Sequence, residues 1–135
     1  MAKASGLGQT TLSVDDAAGA AQAIKNDITN WQMATPRGVQ DTTGVDKSAN
    51  ERLLLLADGS VTLNGVFNAA SNMSHDVFKT VSSTSVQRTV TQTVNGVTLA
   101  MEMIASDYQL TRSDSGELTF SVPLALANGA VPTWA

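Results

Sequence analysis

The second half of the chain alternates apolar and polar residues over three stretches, residues 85–94, 97–105 and 117–126. In each stretch the apolar side chains share one face, which is typical of half-buried β-strands. Asn95-Gly96 fits the two-residue turn of a β-hairpin between the first two stretches. Pro123 lacks a backbone donor, so the third strand is expected to lie at a sheet edge or to carry a bulge there.

Two further strands are predicted around Asp58-Gly59, which is a strong turn signal between two apolar runs. Leu53–Leu56 precedes this turn and Val61–Asn68 follows it. Because the two runs are separated only by the turn, we expect them to pair with each other as a hairpin.

The first third of the chain shows a weaker pattern. Residues 1–9 contain two glycines among small polar neighbours and are expected to form a flexible arm. A short strand is predicted at residues 9–14, and part of residues 23–35 is interpreted as another strand. Residues 15–23 between them are compatible with either a helix or a turn, since Ala favours a helix and Gly19 opposes it.

A long connection and a helix complete the predicted elements. Residues 35–52 contain Pro36, Gly38 and Gly44 and show neither strand nor helix periodicity, although residues 46–52 are compatible with one helical turn. The clearest helical pattern lies at residues 71–82, where one apolar stripe is predicted to pack on the core. The stripe consists of Met73, Val77, Phe78 and Val81.

These elements predict one mainly-β domain over residues 1–135, folded as a two-sheet β-sandwich or barrel with one flanking helix. A chain of 135 residues is large enough for one core. Charged residues make up 15% of the chain, below the roughly 25% of an average soluble domain. Hydroxyl groups supply much of the polarity, because the chain contains 29 Ser and Thr residues.

The predicted hairpin at residues 85–106 contains only two charged residues, Arg88 and Glu102. A long strand edge without charge is an aggregation hazard in a monomer and a docking edge in an assembly. We therefore expect this hairpin to pair with another copy of the chain. The net charge of −4 opposes attraction to phosphate, which makes a nucleic-acid-binding function improbable.

The candidates for catalytic or metal chemistry are weak. Cysteine is absent, which excludes disulfides and thiolate sites, and His75 is the single histidine and is expected to be solvated. Asp15-Asp16 is interpreted as a turn. We therefore expect no catalytic residue, no metal, no cofactor and no enzymatic activity. The longest apolar run, Leu53–Ala57, is too short to cross a bilayer, so no membrane partner is expected.

Two segments carry a resemblance to a known family. The stretch TGVDKSANERLLLLADGSVTLNGVFN at residues 43–68, followed by HDVFKTV at 75–81, resembles the major tail proteins of long, non-contractile bacteriophage tails. The stretch YQLTRSDSGELTFSVPLALANG at residues 108–129 is similar to the end of that family's sequences. The matched positions are Gly44, Val45, Asp46, Lys47, Ser48, Ala49, Glu51, Arg52, Leu53, Asp58, Ser60, Phe67 and Asn68.

The resemblance implies a tail-tube subunit made in the host cytoplasm and incorporated into the virion tail. Such subunits form sixfold rings that stack into a hollow tube, with other tail proteins at its ends, and DNA passes through the lumen without specific binding. Other phage structural β-proteins remain alternatives, namely a head-decoration, head–tail joining or tail-terminator protein. A carbohydrate-binding β-sandwich is a third alternative, which the small number of aromatic residues disfavours.

The resemblance also suggests which residues make contacts between subunits. The connection at residues 35–52 is the predicted contact between rings, through Arg37, Asp41, Asp46, Lys47, Glu51 and Arg52. The predicted ring-forming hairpin includes Arg88, Thr89, Thr91, Thr93, Thr98 and Glu102. The hydroxyls of this hairpin and Glu102 are also candidates for the lumen wall, and the pattern leaves open which strand face points inward.

Overall fold

A computed structural model describes residues 3–135, and this part of the chain forms ten strands and one short helix. Eight strands make one antiparallel sheet in the order β2-β1-β7-β8-β10-β6-β3, with β9 beside β10, and β4 and β5 make a separate two-stranded sheet. The predicted mainly-β class with one flanking helix is confirmed. The strands are β1 (Thr11–Asp15), β2 (Ala21–Ala23), β3 (Ile28–Ala34), β4 (Arg37–Asp41), β5 (Arg52–Ala57), β6 (Ser60–Val66), β7 (Arg88–Val94), β8 (Val97–Ala105), β9 (Gln109–Arg112) and β10 (Leu118–Leu126), and the helix is α1 (Ser74–Phe78).

One hydrophobic core lies on a single face of the eight-stranded sheet, which therefore curves around it. Alternation places every second residue of each long strand in this core, and directly opposite residues such as Val90 and Met101 meet there. Burial of each such side chain contributes about 1.5–3 kcal/mol to folding. The buried apolar residues are Leu12, Val14, Ile24, Val61, Leu63, Val77, Phe78, Val90, Leu99, Met101, Met103, Phe120, Val122 and Leu124.

The strand β10 lies inside the sheet, with β6 on one side and β8 and β9 sharing the other. Its partner changes from β8 to β9 at residues 106–108, where the chain bends. The carbonyl of Pro123 accepts a hydrogen bond from Ser106 N at 3.3 Å, so Pro123 faces this interruption. Its missing donor therefore leaves the ladder intact on the β6 side. Of the two alternatives predicted for Pro123, the edge position is wrong, and in place of a bulge in β10 the structure shows the change of partner from β8 to β9.

The helix α1 is shorter than predicted and covers one end of the core. It runs over Ser74–Phe78 rather than residues 71–82, because the flanking residues form turns. The carboxylate of the buried Asp27 accepts a hydrogen bond from Ser74 N at 3.0 Å, which holds the start of the helix. Of the predicted stripe, Val77 and Phe78 are fully buried, Val81 packs against the core, and Met73 precedes the helix and is half-buried.

The pairing predicted around Asp58-Gly59 is wrong. The strand β5 pairs with β4, whereas β6 pairs with β3 and β10, so the turn joins two different sheets. The connection predicted at residues 35–52 contains β4, and its end contains no helical turn. The run of four leucines marked an apolar strand correctly but lacked the alternation that would have assigned a buried face.

The hairpin of β7 and β8 is not the open edge that its composition suggested. The strand β1 pairs with β7 on its other side, and β10 pairs with Met103–Ala105 of β8. Segment 127–135 approaches the rest of the β8 edge. Of the predicted N-terminal arm, residues 1 and 2 lie outside the described residues, and residues 3–8 are exposed coil and turn. In the described part, no helix is long and apolar enough to cross a membrane.

Arg88 is buried rather than displayed on the hairpin surface, which corrects its predicted role. Its side chain is 1% exposed, and its guanidinium donates 2.8 Å hydrogen bonds to the carbonyls of Asp15 and Val77. Burial lowers the pKa of Arg88 below its ordinary value, and the carboxylates of Asp16 and Asp15 act in the opposite direction. The side chain thus joins β1 and α1 to β7 from inside the fold.

We expect Arg88→Met to lower the free energy of unfolding by about 3 kcal/mol. The substitution leaves one buried and one partly buried carbonyl without their donor, and each such loss costs about 1–3 kcal/mol. Urea denaturation followed by circular dichroism measures the change. Arg112→Met, at an exposed position on β9, is the matched control and should stay within about 0.5 kcal/mol of the parent. Equal stabilities of the two variants would contradict a structural role of Arg88.

Candidate assembly surface

The two-stranded sheet and its loop project from the rest of the chain. We call residues 37–57, comprising β4, β5 and the loop 42–51, the ribbon. Its base is held by a hydrogen bond from Asp58 N to the carbonyl of Pro36 at 2.9 Å. All residues of β4 are exposed, and so are all residues of β5 except its last. Isolated two-stranded sheets are at best marginally stable in water, so the ribbon is expected to gain stability from a partner.

The middle of the ribbon is apolar on both faces. Val39 and Leu54 lie directly opposite each other on one face, and Leu53 and Leu55 lie on the other. A register shift between Arg37 and Val39 adds Leu56, which is 89% exposed. The exposed fractions of the other four side chains lie between 44% and 59%. A contiguous exposed apolar surface of this kind is typical of an interaction site, and here its residues lie on both faces of the ribbon.

The charged residues predicted as an inter-ring contact lie at the two ends of the ribbon. Arg37 lies at the base, where its guanidinium donates to the carbonyl of Leu55 at 2.8 and 3.0 Å. Arg52 and Asp41 face each other across the strands, next to the loop. All six residues therefore belong to one projecting element, although the apolar surface between its charged ends was not predicted.

The loop of the ribbon is organised by its own polar groups. The carboxylate of Asp41 accepts hydrogen bonds from Thr43 N at 2.9 Å and Thr43 Oγ1 at 2.6 Å. These bonds lower the pKa of Asp41 below its ordinary value of 3.8. Lys47 Nζ lies 3.5 Å from Asp46 and 3.7 Å from Glu51. Exposed ion pairs of this kind contribute little to the free energy of folding, so we expect the loop to owe little of its stability to them.

A second surface is the outer face of the eight-stranded sheet, opposite the core. Thr89 donates to Glu102 Oε2 at 2.6 Å, and the hydroxyls of Thr93 and Thr98 lie 2.8 Å apart across β7 and β8. Thr91 lies between these pairs on the same face. The structure thus brings together all the predicted hairpin residues except Arg88, on a face covered with hydroxyl groups.

His75 is packed rather than solvated, which corrects the expectation for this residue. Its ring centroid lies 4.7 Å from that of Phe67, and its Nδ1 atom lies 3.1 Å from the hydroxyl of Tyr108. Burial raises the pKa of Tyr108 above its ordinary value of 10.0. Across residues 3–135, no three His, Cys, Asp or Glu side chains converge into a metal site. The position of His75 is explained by packing of α1 on the sheet.

Comparison with solved structures identifies the same fold in virus-like particles. The chain is similar to a chain in the tail of an empty gene transfer agent particle, computed with helical refinement and C6 symmetry. The TM-score is 0.69 at 16% identity, and the match covers 93% of this chain and 95% of that chain. A chain in the virion of a native gene transfer agent particle matches with a TM-score of 0.66 at 14% identity, over 93% and 95% of the two chains.

This chain has the fold of those two particle chains. The identities are low, so the similarity lies in the arrangement of the strands rather than in particular side chains. No protein-family model matches the sequence. No curated protein matches it either.

Proposed function

We propose that this chain is a structural subunit of a phage-like tail tube, in which sixfold rings stack into a hollow conduit for DNA. The observation that carries the proposal is the match in fold over 93% of the chain to a chain of a C6-symmetric tail. The match covers 95% of that chain, so the whole fold is shared rather than a common β-motif. The sequence resemblance to the major tail proteins of long, non-contractile tails supports the same role.

The ribbon is the proposed contact between stacked rings. Residues 44–53, which carry the most specific part of the sequence resemblance, form most of its loop and the start of β5. The exposed leucines of β5 and Val39 of β4 need a partner on both faces. In a tube, each subunit has neighbours within its ring and in the next ring, and a projecting ribbon between them is covered on two sides.

The outer face of the eight-stranded sheet is the proposed wall of the lumen. Within residues 3–135, this face carries the carboxylates of Asp15 and Glu102 and neither Lys nor Arg, because Arg88 of β7 and Arg112 of β9 lie on the opposite face. A wall without cationic side chains offers no phosphate contacts, so DNA passes without being held. The hydroxyl groups keep the wall hydrated. Its residues on β1, β7 and β8 include Thr11, Ser13, Thr89, Thr91, Thr93 and Thr98.

Electron microscopy of the purified protein at increasing concentration tests the proposal. We expect hollow tubes of stacked sixfold rings, with the outer sheet face lining the channel and the ribbon between rings. Single rings without stacking would favour a tail-terminator or head–tail joining role instead. Protein that stays monomeric at millimolar concentration would contradict a tube-forming function, and a lumen lined by the ribbon would contradict the proposed wall.

A further inference from the structure

The strand β8 has an edge that the rest of the sheet leaves open. Its pairing with β10 is limited to Met103–Ala105, so residues 97–102 have a strand neighbour only on the β7 side. Alternation along β8 directs the backbone groups of Thr98, Ala100 and Glu102 away from β7. This edge is the place where another strand can be added to the sheet by backbone hydrogen bonds.

The segment Ala127–Ala135, which we call the strap, lies along this edge and, within residues 3–135, makes backbone hydrogen bonds with it only at its two ends. Ala127 N donates to the carbonyl of Glu102 at 3.0 Å. At the other end, Ala135 and Thr98 exchange two backbone hydrogen bonds of 2.8 and 2.9 Å. The strap thus uses nine residues to span five residues of β8, so it does not pair with β8 as a regular strand. Within residues 3–135, the amide and carbonyl of Ala100 have no backbone partner on this side.

Little apolar burial holds the strap in place. Its largest side chains, Val131 and Trp134, are 70% and 50% exposed. Pro132 is half-buried beside Gly59, and the other residues from Asn128 onward are exposed. Segments held by a few solvent-accessible hydrogen bonds open at low free-energy cost, so the strap is expected to detach far more readily than any strand of the sheet.

The edge beneath the strap suits a second copy of this chain. Residues Val97–Met101 include no charged side chain, and charge is a common means of protecting a strand edge. The strand β3 offers a complementary edge, because it ends the eight-stranded sheet and is seven residues long. It also contains no charged residue. Contact between the β8 edge of one copy and the β3 edge of the next is heterologous, and it closes into a ring when the rotation permits.

We propose that the strap is an exchangeable cover of the β8 edge, and that ring formation replaces it with β3 of a second copy. The inference rests on the proposed ring-forming function and adds a way in which ring formation is regulated. In the monomer the strap occupies the two end positions and prevents indiscriminate edge pairing. In the ring a regular strand satisfies Thr98, Ala100 and Glu102 together, which the strap does not.

A reversible lock tests the proposal. The double variant Thr98→Cys/Ala135→Cys places one thiol on each side of the reciprocal hydrogen bonds, where Cα atoms lie about 5.5 Å apart, within disulfide range. The natural chain has no cysteine, so one intramolecular disulfide is available. We expect the oxidised monomer to lose ring and tube formation in electron microscopy and light scattering. Addition of reductant should restore the parent rate.

Two further variants distinguish the effect of the strap on assembly from the general effects of a disulfide or of misfolding. Thr111→Cys/Thr119→Cys joins directly opposite residues of β9 and β10, away from the β8 and β3 edges, and leaves the strap free, so it should assemble when oxidised. Ala135→Pro removes one donor of the strap and should accelerate assembly about fivefold. Opposite effects of locking and loosening are not explained by misfolding.

The outcomes distinguish this inference from the proposed function. If the parent and the oxidised, locked variant form tubes equally fast, the proposed role of the strap is contradicted, whereas the proposed tube-forming function is not. A monomeric parent whose Ala135→Pro variant assembles would support the strap as a block. If the parent and every variant, including Ala135→Pro, remain monomeric, both the proposed tube-forming function and the proposed role of the strap are contradicted.

Discussion

Tubes do not form from a Val39→Asp/Leu54→Asp variant, while its monomer remains folded, if the ribbon is the contact between rings. The two side chains lie opposite each other on one face of the ribbon and are 55% and 59% exposed. Because they contribute little to the monomer's core, their replacement is expected to change its free energy of unfolding by less than about 1 kcal/mol. In the assembly, two carboxylates would be buried against an apolar partner.

The expected effect on assembly is large. Removing one unpaired charge from water costs several kcal/mol, so the critical concentration for tube formation should rise at least about 100-fold. Sedimentation and electron microscopy at matched concentrations measure it. Ala18→Asp/Ser115→Asp adds the same charge at exposed turns outside the ribbon and serves as the control. Normal tubes from the ribbon variant would show that its leucines are not at an interface.

The Gly65→Ala substitution is expected to be the most destabilising single change to the fold. A Cβ atom at position 65 would overlap the carbonyl oxygen of Asp27 and lie 2.9 Å from the ring of Phe120. Asp27 cannot withdraw freely, because its carbonyl accepts a hydrogen bond from Val66 N at 2.9 Å and its carboxylate holds Ser74. Any relaxation therefore strains β6 and the start of α1 together.

We expect Gly65→Ala to lower the free energy of unfolding by about 3–5 kcal/mol, a large share of the 5–15 kcal/mol of an ordinary domain. Chemical denaturation provides the measurement. Gly59→Ala is the matched control, because its Cβ would lie 2.9 Å from Met101 Sδ, the end of a flexible side chain. It should cost less than about 1.5 kcal/mol. Gly6→Ala meets no atom within 4 Å and should be neutral. Equal costs at positions 59 and 65 would contradict the role of Asp27.

The ribbon and the strap are the two surfaces that we propose for contacts between copies of this chain. The ribbon exposes apolar side chains, and the strap covers a backbone edge. Within residues 3–135, the apolar side chains of the ribbon are not covered by another part of the chain, whereas the β8 edge is covered loosely by the strap. We infer that lateral pairing is the controlled step of assembly and that stacking through the ribbon follows it. Tubes would then depend on rings, which a time course in electron microscopy resolves.

Strands with strict alternation were predicted nearly to the residue. β8 has its predicted bounds, and the starts of β7 and β10 differ from the prediction by three residues and one residue. A half-buried strand must alternate with a period of two, so its pattern is visible without any knowledge of its neighbours. The same rule assigned the apolar face of β8, where Leu99, Met101 and Met103 are buried.

The ribbon and Arg88 were misjudged for a common reason. The leucines at residues 53–56 show no alternation, and the nearest turn signal paired them with β6 instead of β4. Arg88 was judged by its charge, which favours exposure, although the carbonyls of Asp15 and Val77 satisfy it inside the fold. Arg88 donates to the carbonyl of Asp15, which is distant in sequence, and β5 pairs with β4, whose hydrophobic pattern is weak.

The sequence by itself determined the mainly-β class, the alternating strands, the apolar residues of the helix and the absence of thiol chemistry. Only the tertiary structure decided which strands are neighbours, which apolar residues remain exposed and which edge is covered by the strap. The physical reason is that periodicity specifies the buried face of a strand, whereas its lateral neighbours are chosen by the packing of the whole chain. The surfaces that we propose for assembly are those that the packing of the chain leaves exposed or loosely covered.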